Sequence, residues 1–254
     1  MKNILNYLNK ETRIFFSISN NPSNRGSSYY NVILKKKNYI YLPLKIIDLK
    51  KFKLLMKFFH QRVINFGGAS ISMPFKQEVL KYIDVEHSTV KLSKNANTIL
   101  FRNKLIAFNT DYLAAKKILN KIKFDSVILI GSGSLASTFA SILKRRKIYI
   151  YNRSSKRILK LKKKFKTSKI LTFNEKKKIT NCLIINTTPN LGKLDVYNLI
   201  NFKKTKAIID CAISNKMSYL QNLSKKLSIK YICGKKFYDI QRNYQKKLYL
   251  NEKL

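Results

Sequence analysis

One short glycine turn constrains this chain more than any other feature. Apart from its first residue, Ser126–Ile130 is a continuous apolar run, and it ends at Gly131-Ser132-Gly133-Ser134-Leu135-Ala136. The residues that follow, Leu135–Leu143, have helical spacing. A strand, then Gly-x-Gly-x-x-Ala, then a helix is the arrangement with which parallel α/β sheets hold a dinucleotide. Gly131 permits the tight turn, Gly133 lets the backbone approach a pyrophosphate, and Ala136 is small enough for close helix–strand packing. The amides that open the helix face the phosphates, where the helix dipole favours negative charge.

The next strand, Lys147–Tyr151, bears on which dinucleotide. An NAD site usually places a carboxylate at the end of this strand to accept the ribose hydroxyls. Here the chain reads Asn152-Arg153-Ser154-Ser155-Lys156-Arg157, with no carboxylate. Arginine can grip a phosphate through two parallel hydrogen bonds. Two arginines and neighbouring hydroxyls therefore predict a 2′-phosphate clamp, and NADP is the expected cofactor.

Around that turn the pattern is regular. Ser154–Phe165 is predicted helical, with Ile158, Leu161 and Phe165 on one face, and strands are expected at Ile170–Phe173, Leu183–Asn186 and Ala207–Asp210. Strands alternating with helices predict a doubly wound parallel sheet. The N-terminal half reads as a second α/β unit. Strands are expected at Arg13–Ile18 and Tyr39–Leu44, a loop over Asn20–Ser28 followed by a helix to about Lys36, and a helix over Asp48–Phe59. From Arg62 a short strand is expected, then Gly67-Gly68, then the run Ala69–Met73. Pro74 cannot donate to a ladder, so a helix is expected over Phe75–Tyr82. Lys235–Leu250 reads as a helix with no strand after it. The pattern changes near Asn109–Asp111, which predicts a first domain over 1–109, a Rossmann-type domain over 110–232 and a C-terminal helix over 233–254.

Composition removes several alternatives. No apolar run approaches the ~18–20 residues that span a bilayer. Met1–Lys10 alternates Asn and Lys with single Leu and Ile, unlike the core of a signal peptide. Cys182, Cys211 and Cys233 are too few and too scattered for a disulfide framework or metal cluster. A reduced, cytoplasmic protein without a metal is expected. The net charge of +41, from 53 Lys and Arg against 12 Asp and Glu, suggests a polyanion partner when read alone. The excess is mostly Lys, spread along the chain in clusters such as Lys35–Lys37 and Lys162–Lys164, alongside abundant Asn, Ile, Phe and Tyr. That is the signature of an A/T-biased genome and solvated faces.

Several short segments carry a family resemblance. They are Ser17-Ile18-Ser19, then Ser72-Met73-Pro74-Phe75-Lys76, then Asn97-Thr98, then Asn109-Thr110-Asp111, and finally Gln241. In this order, and together with the dinucleotide turn, they resemble the shikimate dehydrogenase family over nearly the whole chain. Asn152-Arg153-Ser154 resembles that family's phosphate clamp, and Asn186-Thr187-Thr188 followed by Gly192 resembles its loop near the nicotinamide. The resemblance implies interconversion of 3-dehydroshikimate and shikimate with NADP. It implies that Lys76 and Asp111 form the acid–base pair, and that Ser17 and Ser19 bind the ring carboxylate. It also implies that Ser72, Asn97, Asp111 and Gln241 hold ring hydroxyls, which requires the C-terminal helix to return to the first domain. Gly131, Gly133, Ala136, Asn152, Arg153, Ser154, Arg157, Asn186 and Thr187 are the implied cofactor contacts. A monomer or homodimer is expected.

Two segments depart from the family pattern. Asn20-Asn21-Pro22-Ser23-Asn24-Arg25-Gly26 stands where the main members have a short Ser-Pro, and Tyr30-Asn31 where they have His-Asn. A tyrosine often found shortly after the strand Ala207–Asp210 is replaced by Ala212 or Ile213. Two alternatives therefore stand beside the main reading: an enzyme of altered specificity, such as a quinate dehydrogenase, and a decayed relative whose basic surface binds nucleic acid. An intact Lys76–Asp111 pair beside an intact cofactor turn favours the enzyme. His60 and His87 match nothing in the pattern and are read as surface or capping residues.

Overall fold

The computed structural model describes residues 8–62, 64–165, 170–172 and 178–254. Phe173, the expected last residue of one strand, and Met1–Tyr7 lie outside them. The chain divides into two compact units, Met1–Thr110 with Arg242–Leu254, and Asp111–Gln241.

The first unit is built on a mixed six-stranded sheet. Its strands are β1 (Arg13–Ser19), β2 (Tyr39–Lys45), β3 (Phe66–Ile71), β4 (Val85–Glu86), β5 (Thr98–Arg102) and β6 (Lys104–Phe108), in the order β2-β1-β3-β5-β6-β4. β1 runs parallel to β2 and β3, while β5 is antiparallel to β3 and β6. Helix α1 (Arg25–Leu34) buries Tyr30 and Leu34. Helix α2 (Leu49–His60) is capped by Asp48, whose side chain accepts from the Lys51 amide at 2.7 Å. It buries Phe52, Met56 and Phe59, and Phe59 stacks on Phe66 at 3.7 Å between ring centroids.

Three expectations are corrected in this unit. The helix expected after Ser28 starts earlier, at Arg25. Gly67 and Gly68 lie inside β3 rather than breaking it, because the Phe15 ring crosses the sheet there. A Cβ at Gly67 would meet that ring at 2.5 Å, and one at Gly68 would meet the Ile99 carbonyl at 2.5 Å. The strand then ends at Ile71, and Phe75–Tyr82 is a turn followed by a 3-10 helix over Glu78–Tyr82. Here the Lys76 carbonyl accepts from the Ala96 amide at 2.8 Å, and the Leu80 amide bonds Gln77 at the three-residue spacing of a 3-10 turn.

The second unit is a six-stranded, wholly parallel sheet: β7 (Ser126–Ile130), β8 (Lys147–Tyr151), β9 (Ile170–Thr172), β10 (Cys182–Asn186), β11 (Ala207–Asp210) and β12 (Tyr231–Cys233). The order β12-β11-β10-β7-β8-β9 is the doubly wound dinucleotide-binding order, with its switch point between β7 and β10. Alternate residues of β7 feed opposite faces. Val127 and Leu129 pack with Ala136, Phe139 and Ala140 of α5 (Ser134–Leu143), while Ile128 and Ile130 pack with Val196, Tyr197 and Leu220. All five β7 residues are buried, as a sheet covered on both faces requires. The remaining helices are α3 (Ser88–Ser93), α4 (Thr110–Leu119), α6 (Ser155–Phe165), α7 (Tyr219–Lys226) and α8 (Gly234–Tyr249). Among the described residues no helix is long and apolar enough to cross a membrane, and no cluster of His, Cys, Asp and Glu could hold a metal ion.

A buried polar relay ties the end of α8 to the first sheet. Tyr30 donates to Gln245 Oε1 at 2.8 Å, and Gln245 Nε2 donates to Thr98 Oγ1 at 2.7 Å and to the Asn97 carbonyl at 3.2 Å. Beside it Tyr41 donates to Ser70 at 2.5 Å, and Ser70 shares a 2.8 Å bond with Tyr249. Burial, reinforced by Tyr41 and Tyr30, pushes the Tyr249 phenol well above its ordinary pKa, so it stays a neutral member of this cluster. Replacing Gln245 by Leu removes its three buried hydrogen bonds, to Tyr30, Thr98 and the Asn97 carbonyl. The expected loss is about 1–3 kcal/mol, read as a shift of the urea midpoint.

Candidate active site

The glycine turn has the geometry that a bound pyrophosphate needs. Gly131 has φ of +104°, a conformation that side chains rarely adopt, and a Cβ there would collide with Thr187 Oγ1. Thr187 is fixed in that place by two bonds to the Ile130 carbonyl, from its amide at 2.9 Å and its hydroxyl at 2.7 Å. Gly133 caps α5 with nothing within 4 Å of where a Cβ would sit. Ser132 Oγ is buried and, among the described residues, is the side-chain polar atom left without a partner. An orphaned hydroxyl, an open glycine and a helix N-terminus together fit an incoming phosphate.

The end of β8 fits the second half of such a ligand. Asn152 donates to the Ser154 carbonyl at 3.1 Å, and that carbonyl also receives the Arg157 amide at 3.2 Å, which starts α6. The fold of this corner leaves Arg153 and Arg157 exposed. Asn186 plays a structural part here. Its side-chain oxygen accepts from the Thr188 amide and hydroxyl at 3.0 and 2.7 Å, and its nitrogen donates to Asp210 at 2.9 Å. The side chain shapes the loop after β10, so Thr187 and the loop backbone are what it presents. Asp210, missed in the sequence, also accepts from Ser218 at 2.6 Å and Tyr231 at 3.0 Å.

In the first unit the expected substrate residues sit at the C-terminal ends of β1 and β3. Ser17 is half-buried and Ser19 buried, on alternate positions of β1, and Ser19 Oγ accepts from the Asn21 amide at 3.2 Å. Ser17 pairs with Ser70, and the Ser72 amide bonds the Ile18 carbonyl at 2.9 Å. Lys76 is half-buried, next to the buried Phe75 that stacks on Phe52 at 4.4 Å. Asn97 is buried, and its side-chain oxygen takes three donors: Thr98 Oγ1 at 2.9 Å, Thr110 N at 2.8 Å and Thr110 Oγ1 at 3.1 Å. Its amide nitrogen is thereby oriented as the free end.

The Asn-Thr-Asp segment is held by its own frame. Asn109 donates to Ser93 Oγ at 2.7 Å and Asn95 Oδ1 at 3.1 Å, and its amide bonds Thr89 Oγ1 at 3.0 Å. Thr89 and Ser93 belong to α3, whose cap is His87, bonded to Thr89. Asp111 then lies buried in the first turn of α4, at the positive end of the helix dipole. In the second unit it contributes, after burial and Asp210, to raising the Cys211 thiol well above its ordinary pKa. Gln241 is buried on α8, one helical turn before Gln245. That same-face spacing was the available signal for Gln245, which the sequence reading passed over.

The profile of the shikimate/quinate 5-dehydrogenase family matches residues 113–213. A shikimate dehydrogenase-like protein of Haemophilus influenzae is 31% identical over 158 residues, covering 59% of this chain and 56% of that protein. A shikimate dehydrogenase (NADP(+)) of Clostridium botulinum is 30% identical over 217 residues, 79% of this chain and 82% of the relative. The chain belongs to the shikimate dehydrogenase family. Among solved structures, a shikimate 5-dehydrogenase-like protein superposes with a TM-score of 0.81 at 23% identity, covering 97% of this chain and 94% of the other. That likeness shows a shared fold.

The cap at α3 gives a pH signature. Burial lowers the His87 pKa below its ordinary 6.5, so the folded state prefers the neutral ring and the unfolded chain takes up the proton first. The His87 contribution is thus complete above pH 6.5 and is lost as pH falls below it towards the lowered value. His87→Asn keeps a capping acceptor without the titration. The variant should lose less stability than the wild type between pH 7.5 and 5.5, both windows being set about the ordinary value. Equal losses in the two proteins would mean that the cap does not titrate.

Proposed function

We propose that this protein is an NADP-dependent oxidoreductase that interconverts 3-dehydroshikimate and shikimate. The observation that carries the reading is the coincidence, in one family member, of the Ser72–Lys76 and Asn109–Asp111 segments with a phosphate turn followed by Arg153 and Arg157. NADP is supported by those arginines and by the lack of a carboxylate in Asn152–Arg157. Gly131, Gly133, Ala136 and Thr187 would hold the pyrophosphate side, with Ser132 Oγ donating to an oxygen, while Asn152, Ser154 and the arginines would take the 2′-phosphate. When bound, the reduced nicotinamide supplies a hydride to the ring carbonyl carbon.

The chain supplies the proton and the orientation. As hydride adds, the carbonyl π electrons move onto oxygen, and the Lys76 ammonium stabilises that charge and then transfers its proton to the oxygen. Asp111 keeps Lys76 oriented and compensates its charge, and it shares a ring hydroxyl. Oxidation reverses each step, with neutral Lys76 as the base. Ser17 and Ser19 bind the carboxylate, and the oriented Asn97 amide, Ser72 and Gln241 bind the hydroxyls. A rigid polyol needs several such partners, since an absent one leaves buried polar groups unpaired.

Two observations bear on the exact polyol. The Asn20–Gly26 segment leaves β1 directly after Ser19, and helix α1 starts inside it at Arg25. Ala212 and Ile213 replace the tyrosine expected beyond Asp210, and the Ala212 amide bonds Asp210 at 3.3 Å. Both changes favour a second reading within the same chemistry, a quinate/shikimate enzyme of altered preference. The cytoplasm suits the proposal, since the thiols of Cys182, Cys211 and Cys233 are unpaired.

Lys76→Ala should lower kcat by ~10²–10⁴-fold with little change in KM for the cofactor, as loss of a positioned acid does. Asp111→Asn should lower kcat and raise the polyol KM. The double variant should fall far short of the product of the two losses, because one functional pair is broken twice. Retention of more than about a tenth of the rate by Lys76→Ala would remove the lysine from the proton-donor role.

A further inference from the structure

On the dinucleotide reading proposed above, we infer that Asp210 is a positioning residue: acting through Asn186 and Ser218, it fixes the loop after β10 that would receive the second mononucleotide. In an open parallel sheet a dinucleotide binds outside the carboxyl ends of the strands, across the point where the strand order reverses. Here that point lies between β7 and β10. The loops after β7 and β8 therefore serve one mononucleotide, and those after β10 and β11 the other. The loop after β10 starts against the glycine turn, since a Cβ at Gly131 would lie 3.1 Å from Thr188 Cγ2.

Asp210 ends β11 and pairs in the ladder with Asn186, the last residue of β10. Both are 1% exposed. The Asp210 carboxylate takes four donors, all of them neutral. Oδ1 accepts from Asn186 Nδ2 at 2.9 Å and the Ala212 amide at 3.3 Å, and Oδ2 from Ser218 Oγ at 2.6 Å and the Tyr231 hydroxyl at 3.0 Å. Burial raises the Tyr231 phenol above its ordinary pKa, so it stays protonated and able to donate.

An ionised carboxylate only accepts, so it dictates which end of the Asn186 amide points at it. The Asn186 oxygen is thereby turned to the Thr188 amide and hydroxyl, at 3.0 and 2.7 Å, while its nitrogen also reaches the Asn190 carbonyl at 3.3 Å. The second grip runs through Ser218. Held by Asp210, it caps α7 by accepting from the Gln221 amide at 3.1 Å, and the adjacent Tyr219 amide donates to the Leu191 carbonyl at 2.7 Å. One carboxylate thus holds the loop 187–191 from both ends. A neutral amide at position 210 could turn either way and would let Asn186 flip with it, whereas a carboxylate cannot.

Two ligands separate this role from general support of the fold: NADP, and 2′,5′-ADP, which carries the adenosine half and lacks the second mononucleotide. Both are titrated calorimetrically into the full chain. Asn186→Asp sets two carboxylates against each other and should weaken NADP binding by at least ~10-fold, while 2′,5′-ADP binding stays within ~2-fold of the wild type. Asp210→Asn keeps the side-chain volume, which keeps the test open if Asn186→Asp does not fold, and should shift NADP binding in the same direction by less. The exchange Asn186→Asp/Asp210→Asn again sets one donor against one acceptor, and should return NADP binding to within ~3-fold of the wild type. Equal weakening of both ligands, undiminished NADP binding in the single variants, or an exchange no better than Asn186→Asp would overturn the role of Asp210 and leave the cofactor reading standing. Wild-type protein that binds neither ligand would overturn the cofactor reading itself, and the role of Asp210 with it.

Discussion

The second unit depends on one carbonyl oxygen. Ile130 closes β7 by accepting both the amide and the hydroxyl of Thr187, at 2.9 and 2.7 Å. This pair of bonds joins β10 to β7 beyond the last ladder pair, at the point where the strand order reverses. With Thr187 held there, residue 131 has no room for a side chain and takes a left-handed backbone that glycine tolerates. Gly133 then opens α5, and Ser132 is left with a buried hydroxyl that has no partner among the described residues. Sheet topology, glycine sterics and the unsatisfied donor are one constraint seen at three scales.

The first unit solves a different problem with buried polar groups. A site for a polyol needs donors and acceptors held rigidly in an apolar setting, where each unpaired group is costly. Here most of the hydrogen-bonding capacity is used to fix orientation. Asn97 gives its side-chain oxygen to three donors. Asn109 donates to Ser93 and Asn95 from its side chain and to Thr89 from its amide. Gln245 connects this frame to the end of α8.

What could be read from the sequence follows from how local each cause is. The Gly131–Ala136 turn was legible because its requirements are satisfied within a handful of consecutive residues. The parallel strands β7, β10 and β11 were legible because burial on both faces leaves nearly unbroken apolar runs. Gly67 and Gly68 misled, since the ring that needs them comes from Phe15 on another strand. Where a helix was expected at Phe75, the Lys76 carbonyl bonds the Ala96 amide, a partner twenty residues on. Lys76, Asp111, Ser17 and Asn97 are expected from family motifs, whereas Gln245, Ser70 and Asp210 make tertiary hydrogen bonds that no short motif records. The strong positive charge, the loudest property of the composition, explained none of these positions.

The central claim is that the basic clamp and the Lys76–Asp111 segments serve one reaction, and a single assay addresses it. Purified protein should be mixed with shikimate, with quinate or with no polyol, each in NADP and in NAD, while absorbance of the reduced nicotinamide is followed. The account predicts turnover with shikimate and NADP, a preference over NAD of at least ~10-fold, about 1.4 kcal/mol, and no signal in the blanks. No reduction with either polyol in either cofactor, from protein that is folded, would contradict it.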